Sequence, residues 1–387
     1  MLFRSEDESP IVFLRIYKQV RKRGLKVLSD APFASRGSKK LNATLINSVS
    51  DISNLTEKSI VIIGERAAEV SGTISTAVSI AKKADAKVAW IPRRAGERGA
   101  LMAGAIGTLL PGGRPVTDAG ARVDVQSAWG IQSLPSTIGK STLEILEALN
   151  KNSDEDGALD AVVIGGVDPM DISQDALNKL LNSFVVSFEI SHSSVTAIAD
   201  VVLPVAAVVE KGGAFADWQG SVRAFEKAIE DSNHRSDVKI LSALADEMGT
   251  PIKLTSIAAT TREINALGNW DGAKASFDSV PLSNSTGDME LSSWRQLLDL
   301  GSLQEGEVNL AGTARRAVAH ISSNRASQLG VKDGESIRIS SDLGSITLPV
   351  EISEMADNRV WVPRNSINSQ VIPNLGFVRG AVKVVKA

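Results

Sequence analysis

The residues best placed for chemistry in this sequence fall in two short stretches. In "VVIGGVDPM", Gly165, Gly166, Asp168 and Pro169 follow an apolar run that reads as a strand. Open α/β sheets receive ligands at the carboxyl ends of their strands. Two glycines there would let a ligand approach the backbone, and Asp168 could accept hydrogen bonds from a ribose or a guanine. The same residues also make a tight turn with an aspartate starting a helix; that needs no ligand, and on the pattern alone it comes first. In "ADVVLPVAAVVEKGGAFADWQGSVRAF" an apolar run breaks at Pro204 and opens into a loop. That loop groups Glu210, Lys211, Gly212, Gly213, Asp217 and Gly220 with Trp218.

Other signals are weaker or absent. Arg93, Arg94 and Arg98 crowd "PRRAGERGA" after a strand, with Gly96 and Gly99 between them. Guanidinium forks suit phosphate, carboxylate or an acidic protein surface, and a solvated loop accounts for them equally well. Lys18, Arg21, Lys22, Arg23 and Lys26 stand near a predicted helix end, where cations complement the helix dipole. His192, His234 and His320 are far apart in sequence and lack metal-ligand spacing, so no metal site is expected. There is no Gly-x-Ser-x-Gly elbow, no Walker lysine motif, and only Gly64 after "IVII" where a dinucleotide fingerprint would need three glycines.

The elements that must position these residues read as α/β over the first two thirds. "SIVIIGERA" and "KVAWIP" are strands, and between them Val70, Ile74, Ala77, Val78 and Ala81 are spaced for one helical face. A looser segment runs from Leu109 to Gly139. "STLEILEALN" opens with a capping box, Ser141 to Glu144, and should bury Leu143, Leu146 and Leu149. "AVVIGGVDPM", "FVVSFEI" and "DVVLPVA" supply further strands around the helix "DALNKLL". This alternation predicts parallel sheets covered by helices on both faces. The expected divisions are a first α/β region at 1–150, a second at 151–266 and a connecting segment at 267–311. A β domain follows at 312–387, where "SIRIS" and "SITLPVEI" form a hairpin across Asp342-Leu343-Gly344. Ile346, Leu348, Val350 and Ile352 share one face of it, "RVWVP" and "AVKVVKA" add strands, and Gly330 closes the helix "NRASQLG".

Composition narrows the function classes. Lys and Arg total 42 against 45 acidic residues, a net charge of −3, which offers no field for nucleic acid or anionic lipid. With no cysteine, disulfides and cysteine-bound clusters are excluded within this chain. The longest apolar run, Val201 to Val209, is interrupted by Pro204 and falls far short of the roughly 20 residues that span a bilayer. "MLFRSEDESP" shows no apolar leader, so the expectation is a cytoplasmic protein without direct membrane insertion.

One further reading rests on resemblance. "ADVVLPVAAVVEKGGAFADWQG" resembles the signature of the molybdopterin oxidoreductases, in which Ala-Asp-Val-Val-Leu-Pro leads to Glu, then Gly-Thr-Phe, Asn and Glu-Gly-Arg. More narrowly, "ESPIVFLRIYKQVRKRGLKV", "WIPRRAGERGA" and "LLPGGRPV" together resemble the G subunit of actinobacterial NADH-quinone oxidoreductases, from the hydrophilic arm of respiratory complex I. The match runs along nearly the whole sequence, in order. It implies parallel-sheet, helix-covered α/β domains of the molybdopterin oxidoreductase type, followed by a small C-terminal double-psi β-barrel. It also implies a C-terminal portion of such a protein, with the iron–sulfur clusters outside this chain. Its partners would be the other hydrophilic subunits, at the inner face of the cell membrane.

The departures from the signature bear on the cofactor. Ala214 stands for the threonine, Asp217 for the asparagine, and Gln219-Gly220-Ser221 for Glu-Gly-Arg, with Arg223 two residues late. Losing a hydroxyl donor and adding a carboxylate beside a phosphate-bearing group both weaken binding. The expectation is a scaffold with no catalytic residue and no cofactor in this chain. Its cleft would be vestigial, lined by Gly165, Gly166, Asp168, Gly213, Asp217 and Gly220. Phe215 and Trp218 would plug it, and Asp200 and Glu210 would serve turn hydrogen bonds. The alternative is one half of a site for molybdopterin guanine dinucleotide, through Gly165, Asp168 and Gly213.

Overall fold

The structure, a computed structural model, describes residues 5–92, 94, 96–252, 254, 256–276, 279–282 and 289–387. The chain divides into two compact units, one of residues 1–93 with 278–387 and one of residues 94–277.

In the first unit, the run ending at Gly64 is the strand Ile60–Gly64, paired in parallel with Lys87–Ile91. A parallel pair needs a crossover, and the helix Thr73–Lys83 supplies it. Ala77 and Ala81 pack against Val49, Val61 and Ile63. Ile74 and Val78, expected on the same face, stay exposed. Alanines bring the helix close to the sheet, so only a narrow stripe is covered. Nearer the amino terminus, Leu28–Asp30 pairs in parallel with Thr44–Ile46. The helix Pro10–Arg23 sets Phe13 against Val27 and Leu41; it carries Arg21, Lys22 and Arg23 in its last turn and stops at left-handed Gly24, φ 65°.

The carboxyl-terminal strands close into a six-stranded barrel in the order Met289–Trp294, Arg359–Pro363, Ala319–Ile321, Ser345–Ile352, Ser336–Ser340, Gly380–Lys386. Its ladders are mixed: the Ser336–Ser340 hairpin is antiparallel, while Ala319–Ile321 runs parallel to Ser345–Ile352. The alternation of "SITLPVEI" buries Ile346, Leu348 and Val350; Ile352, at the strand end, emerges into solvent. Each fully buried aliphatic side chain of this core contributes roughly 1.5–3 kcal/mol. The strand Met289–Trp294 lies within the stretch read as a connection. Its run "LSS" buries two serines, a pattern that polarity alone assigns to a loop.

The second unit centres on a three-stranded parallel sheet, Ala161–Gly165, Phe184–Glu189 and Val201–Pro204. The capping box forms as expected: Ser141 N–H donates to the Glu144 carboxylate and Glu144 N–H to Ser141 Oγ. Leu146 and Leu149 from that helix join Leu180, Val185 and Val195 in one core, whereas Leu143 is exposed. Helices were expected on both faces of the sheet. Here Val163, Val186 and Val201, in register with one another, lie on one face, and Val163 and Val201 are exposed. Within the looser segment, Asp118 caps a helix at Ala119–Trp129 that buries only Ala121 and Val125. So narrow an apolar stripe gives little periodic signal.

Candidate functional site

The candidate residues of the second unit are held by two separate elements. At the strand tip, Gly166 takes the left-handed φ of 61°, and the Asp168 carboxylate accepts the Met170 N–H at 3.0 Å, opening the short turn Pro169–Asp171. A side chain at Gly165 would meet Phe188 only at 3.5 Å, an ordinary contact, so nothing nearby demands a glycine. Burial pushes the Glu189 carboxyl above its usual range, and the backbone N–H groups of Ile190 and Gly166 pull it partly back. The backbone donor that a phosphate would use at this tip therefore already faces a carboxylate.

The loop after Pro204 is fastened at its start by Glu210. One carboxylate oxygen accepts the Ala207 N–H at 2.8 Å; the other accepts the Ser232 hydroxyl at 2.7 Å and lies 2.8 Å from His234 Nδ1. His234 first, then Ser232 and the Ala207 backbone, hold the Glu210 carboxyl down at about 2. Lys211 pairs with Asp237. The chain then forms the hairpin Gly213–Ala216 with Val222–Phe225. Its turn is built by Asp217, whose Oδ1 accepts the N–H groups of Gln219 and Ser221, both at 2.9 Å.

The glycines here serve the chain itself. A Cβ at Gly213 would lie 3.0 Å from the Phe225 ring, and one at Gly212 would lie 2.6 Å from Ile257 Cδ1. Gly220, at φ 91°, gives room to the Arg98 guanidinium. Phe215 stacks on Phe225 yet remains 43% exposed, and Trp218 is 40% exposed, so neither is the buried plug that was expected. Glu210 makes the turn hydrogen bond expected of it, whereas Asp200, also expected to serve a turn, accepts from Val185 N–H of the strand Phe184–Glu189 at 2.7 Å. Arg93 lies outside the described residues.

Several of these groups are taken up by the chain itself. Asp168 and Asp217 are acceptors already engaged by their own turns, and Gly212, Gly213 and Gly220 leave room for Ile257, Phe225 and Arg98.

Sequence reasoning missed a charged cavity in the first unit. It has a volume of about 120 Å3 and is lined by Arg66, Arg359 and Arg379 together with Asp30, Glu69 and Glu290. Arg364 pairs with Glu69 across 295 positions of sequence, and Arg379 with Glu290 at 2.5 Å across 89. The visible signal was the Glu65-Arg66 pair just past the strand ending at Gly64; its partners are assembled only by the fold.

Comparison with known proteins agrees with this architecture. The Molybdopterin oxidoreductase family profile matches residues 5–247, and the Molydopterin dinucleotide binding domain profile matches residues 291–379. The chain belongs to the molybdopterin oxidoreductase family. It is 42% identical over its whole length to the G subunit of the NADH-quinone oxidoreductase of Mycobacterium bovis, covering 50% of that protein. Against the corresponding G subunit of Streptomyces coelicolor it is 39% identical over 98% of its length, covering 49% of that relative. The chain thus spans about half the length of the curated relatives it matches. Among solved structures, acetylene hydratase from Pelobacter acetylenicus aligns over 69% of this chain and 49% of its own, at 14% identity and a TM-score of 0.46.

Proposed function

We propose that this chain is a scaffold within the G subunit of a respiratory NADH-quinone oxidoreductase: it keeps the body of a molybdopterin enzyme and binds no pterin. The observation that carries this reading is the internal engagement of the loop, above all Asp217 accepting two N–H groups of its own turn. Identity of 42% along the whole chain supports placing it with these G subunits. In this reading Gly165, Gly166, Asp168, Gly213, Asp217 and Gly220 line a vestigial cleft, and the chain itself does no catalysis.

With no cysteine here, electrons from NADH travel to quinone over clusters held by other polypeptide. The partners are the other hydrophilic subunits of the complex, and the protein sits at the inner face of the cell membrane through them. No helix among the described residues is long and apolar enough to cross a membrane. A second reading, a dinucleotide-binding portion of a molybdopterin enzyme, is favoured by the profile match at residues 291–379.

One preparation tests both. The protein is purified from native membranes, its companion chains are identified by mass spectrometry, and molybdenum and pterin are assayed. The expected result is NADH-dehydrogenase subunits with pterin well below one per chain. Stoichiometric pterin would establish the second reading.

A further inference from the structure

The charged cavity of the first unit holds donors that the chain itself does not engage. Arg66 stacks its guanidinium on the Trp294 ring at 4.7 Å. Its Nε is buried without a hydrogen-bond partner among the described residues, and the Glu8 carboxylate stands 3.9 Å off. Glu8, Glu69 and Asp30 supply charge around it, yet a buried guanidinium nitrogen without a hydrogen-bond acceptor is costly.

Two further features converge on the same cavity. Ser292, 5% exposed, lines it from the barrel strand Met289–Trp294, and its hydroxyl has no partner among the described residues. Thr73 lines it from the other side, as the first residue of the helix Thr73–Lys83. The N-cap of that helix is Gly72, which offers no side-chain acceptor, and the Thr73 N–H donates to the Val70 carbonyl at 3.1 Å.

The other charges of the wall largely answer one another. Glu69 is matched by Arg364. Glu290 is shared by two guanidinium groups, Arg379 at 2.5 Å and Arg359 at 3.9 Å, while Arg359 also donates to the Asn47 carbonyl at 2.7 Å. Asp30 is the remaining acid on the wall; burial pushes its carboxyl above the usual range, and Arg359 pulls it back.

We propose that this cavity is a binding site for a small oxyanion of the phosphate or sulfate type, received by Arg66, the Ser292 hydroxyl and Thr73. Guanidinium groups are frequent receptors for such anions. At about 120 Å3 the cavity suits one small ion. It falls well below the roughly 300 Å3 or more of pockets that enclose whole cofactors. The proposal stands whether or not the scaffold reading does.

The test uses the full 387-residue chain. Inorganic phosphate, sulfate and adenosine monophosphate are titrated by calorimetry and by thermal shift, with sodium chloride holding ionic strength constant. The expected result is saturable one-site binding of phosphate and sulfate. Arg66→Gln should weaken it about tenfold or more, the share of one charge-assisted contact, and Ser292→Ala should weaken it severalfold. Should Arg66→Gln fail to fold, Ser292→Ala and Thr73→Val carry the comparison. Tighter binding of adenosine monophosphate would identify the source as a nucleotide's phosphate, within the same site. No saturable binding beyond the chloride control, or equal binding by the wild type and the Ser292→Ala and Thr73→Val variants, would overturn the proposal.

Discussion

Acidification should loosen the barrel-bearing unit through one residue, His320. Its ring, 8% exposed, stacks on Phe33 at a centroid distance of 4.4 Å and leans on Trp361 at 5.0 Å. Its Nδ1 lies 2.7 Å from Ser353 Oγ, and the Glu351 carboxylate is 3.8 Å away. Burial lowers the imidazole from the ordinary 6.5 to about 4, outweighing the pull of Asp333 in the other direction. Between those values the unfolded chain binds a proton that the folded chain refuses. The stability contributed is thus fully present above 6.5 and is lost as pH falls through about 4. At about 1.4 kcal/mol per pH unit the whole window amounts to roughly 3 kcal/mol, of which about 2 kcal/mol is lost between pH 7 and pH 5. Urea unfolding followed by tryptophan emission, at several pH values, measures this in the wild type and in His320→Phe. Among the described residues, Trp294 and Trp361 are the buried tryptophans, and they report on this unit. The variant should lose about 2 kcal/mol less over that interval. Equal losses would mean that the imidazole titrates freely, and the burial argument would fail.

Three other outcomes follow from the same physics. Arg364→Met and Glu69→Gln should each cost about 3–5 kcal/mol, as either leaves the other partner's charge buried, while the double variant costs little more than one single; a chemical-denaturation cycle reads the coupling, and additive losses would refute it. Glu210→Gln should flatten the acid limb of unfolding of the 94–277 unit, followed by circular dichroism, because a carboxyl held near 2 contributes stability present above 4.5 and lost as pH falls toward 2. Gly72→Ala should cost at least about 2 kcal/mol, since φ is 82° and a Cβ would lie 2.3 Å from the Pro281 carbonyl oxygen; Gly24→Ala, left-handed but with open space around it, should cost about 1 kcal/mol in the same melts.

What the sequence made legible is local. The Ser141–Glu144 capping box, the hairpin over Asp342-Leu343-Gly344 and the left-handed stop at Gly330 each depend on residues within a few positions, and each is present. Parallel strands such as Ala161–Gly165 were legible as strands, but a continuous apolar run says nothing of which face is covered. The exposure of Val163 could not be read from it. Met289–Trp294 was illegible because its place in the barrel depends on pairing with Arg359–Pro363, about 70 residues on, not on its own apolar content. The charged cavity was hidden for the same reason, since Glu69 finds Arg364 and Arg359 finds Asn47 only in the folded chain.

The two polar regions differ in which charges surround their unanswered donors. At the hairpin, Asp217 is an acceptor with two backbone donors of its own, Glu210 has one backbone and two side-chain partners, and Arg98 Nε beside Gly220 is buried without one among the described residues. A phosphate arriving there would meet carboxylate charge. Around Arg66 a guanidinium nitrogen and a serine hydroxyl both lie buried without acceptors among the described residues. An anion entering there breaks no protein hydrogen bond to those two groups and removes the cost of leaving them unanswered. The cavity beside the barrel, with two such groups on one wall, is therefore where affinity for phosphate-like chemistry is to be sought.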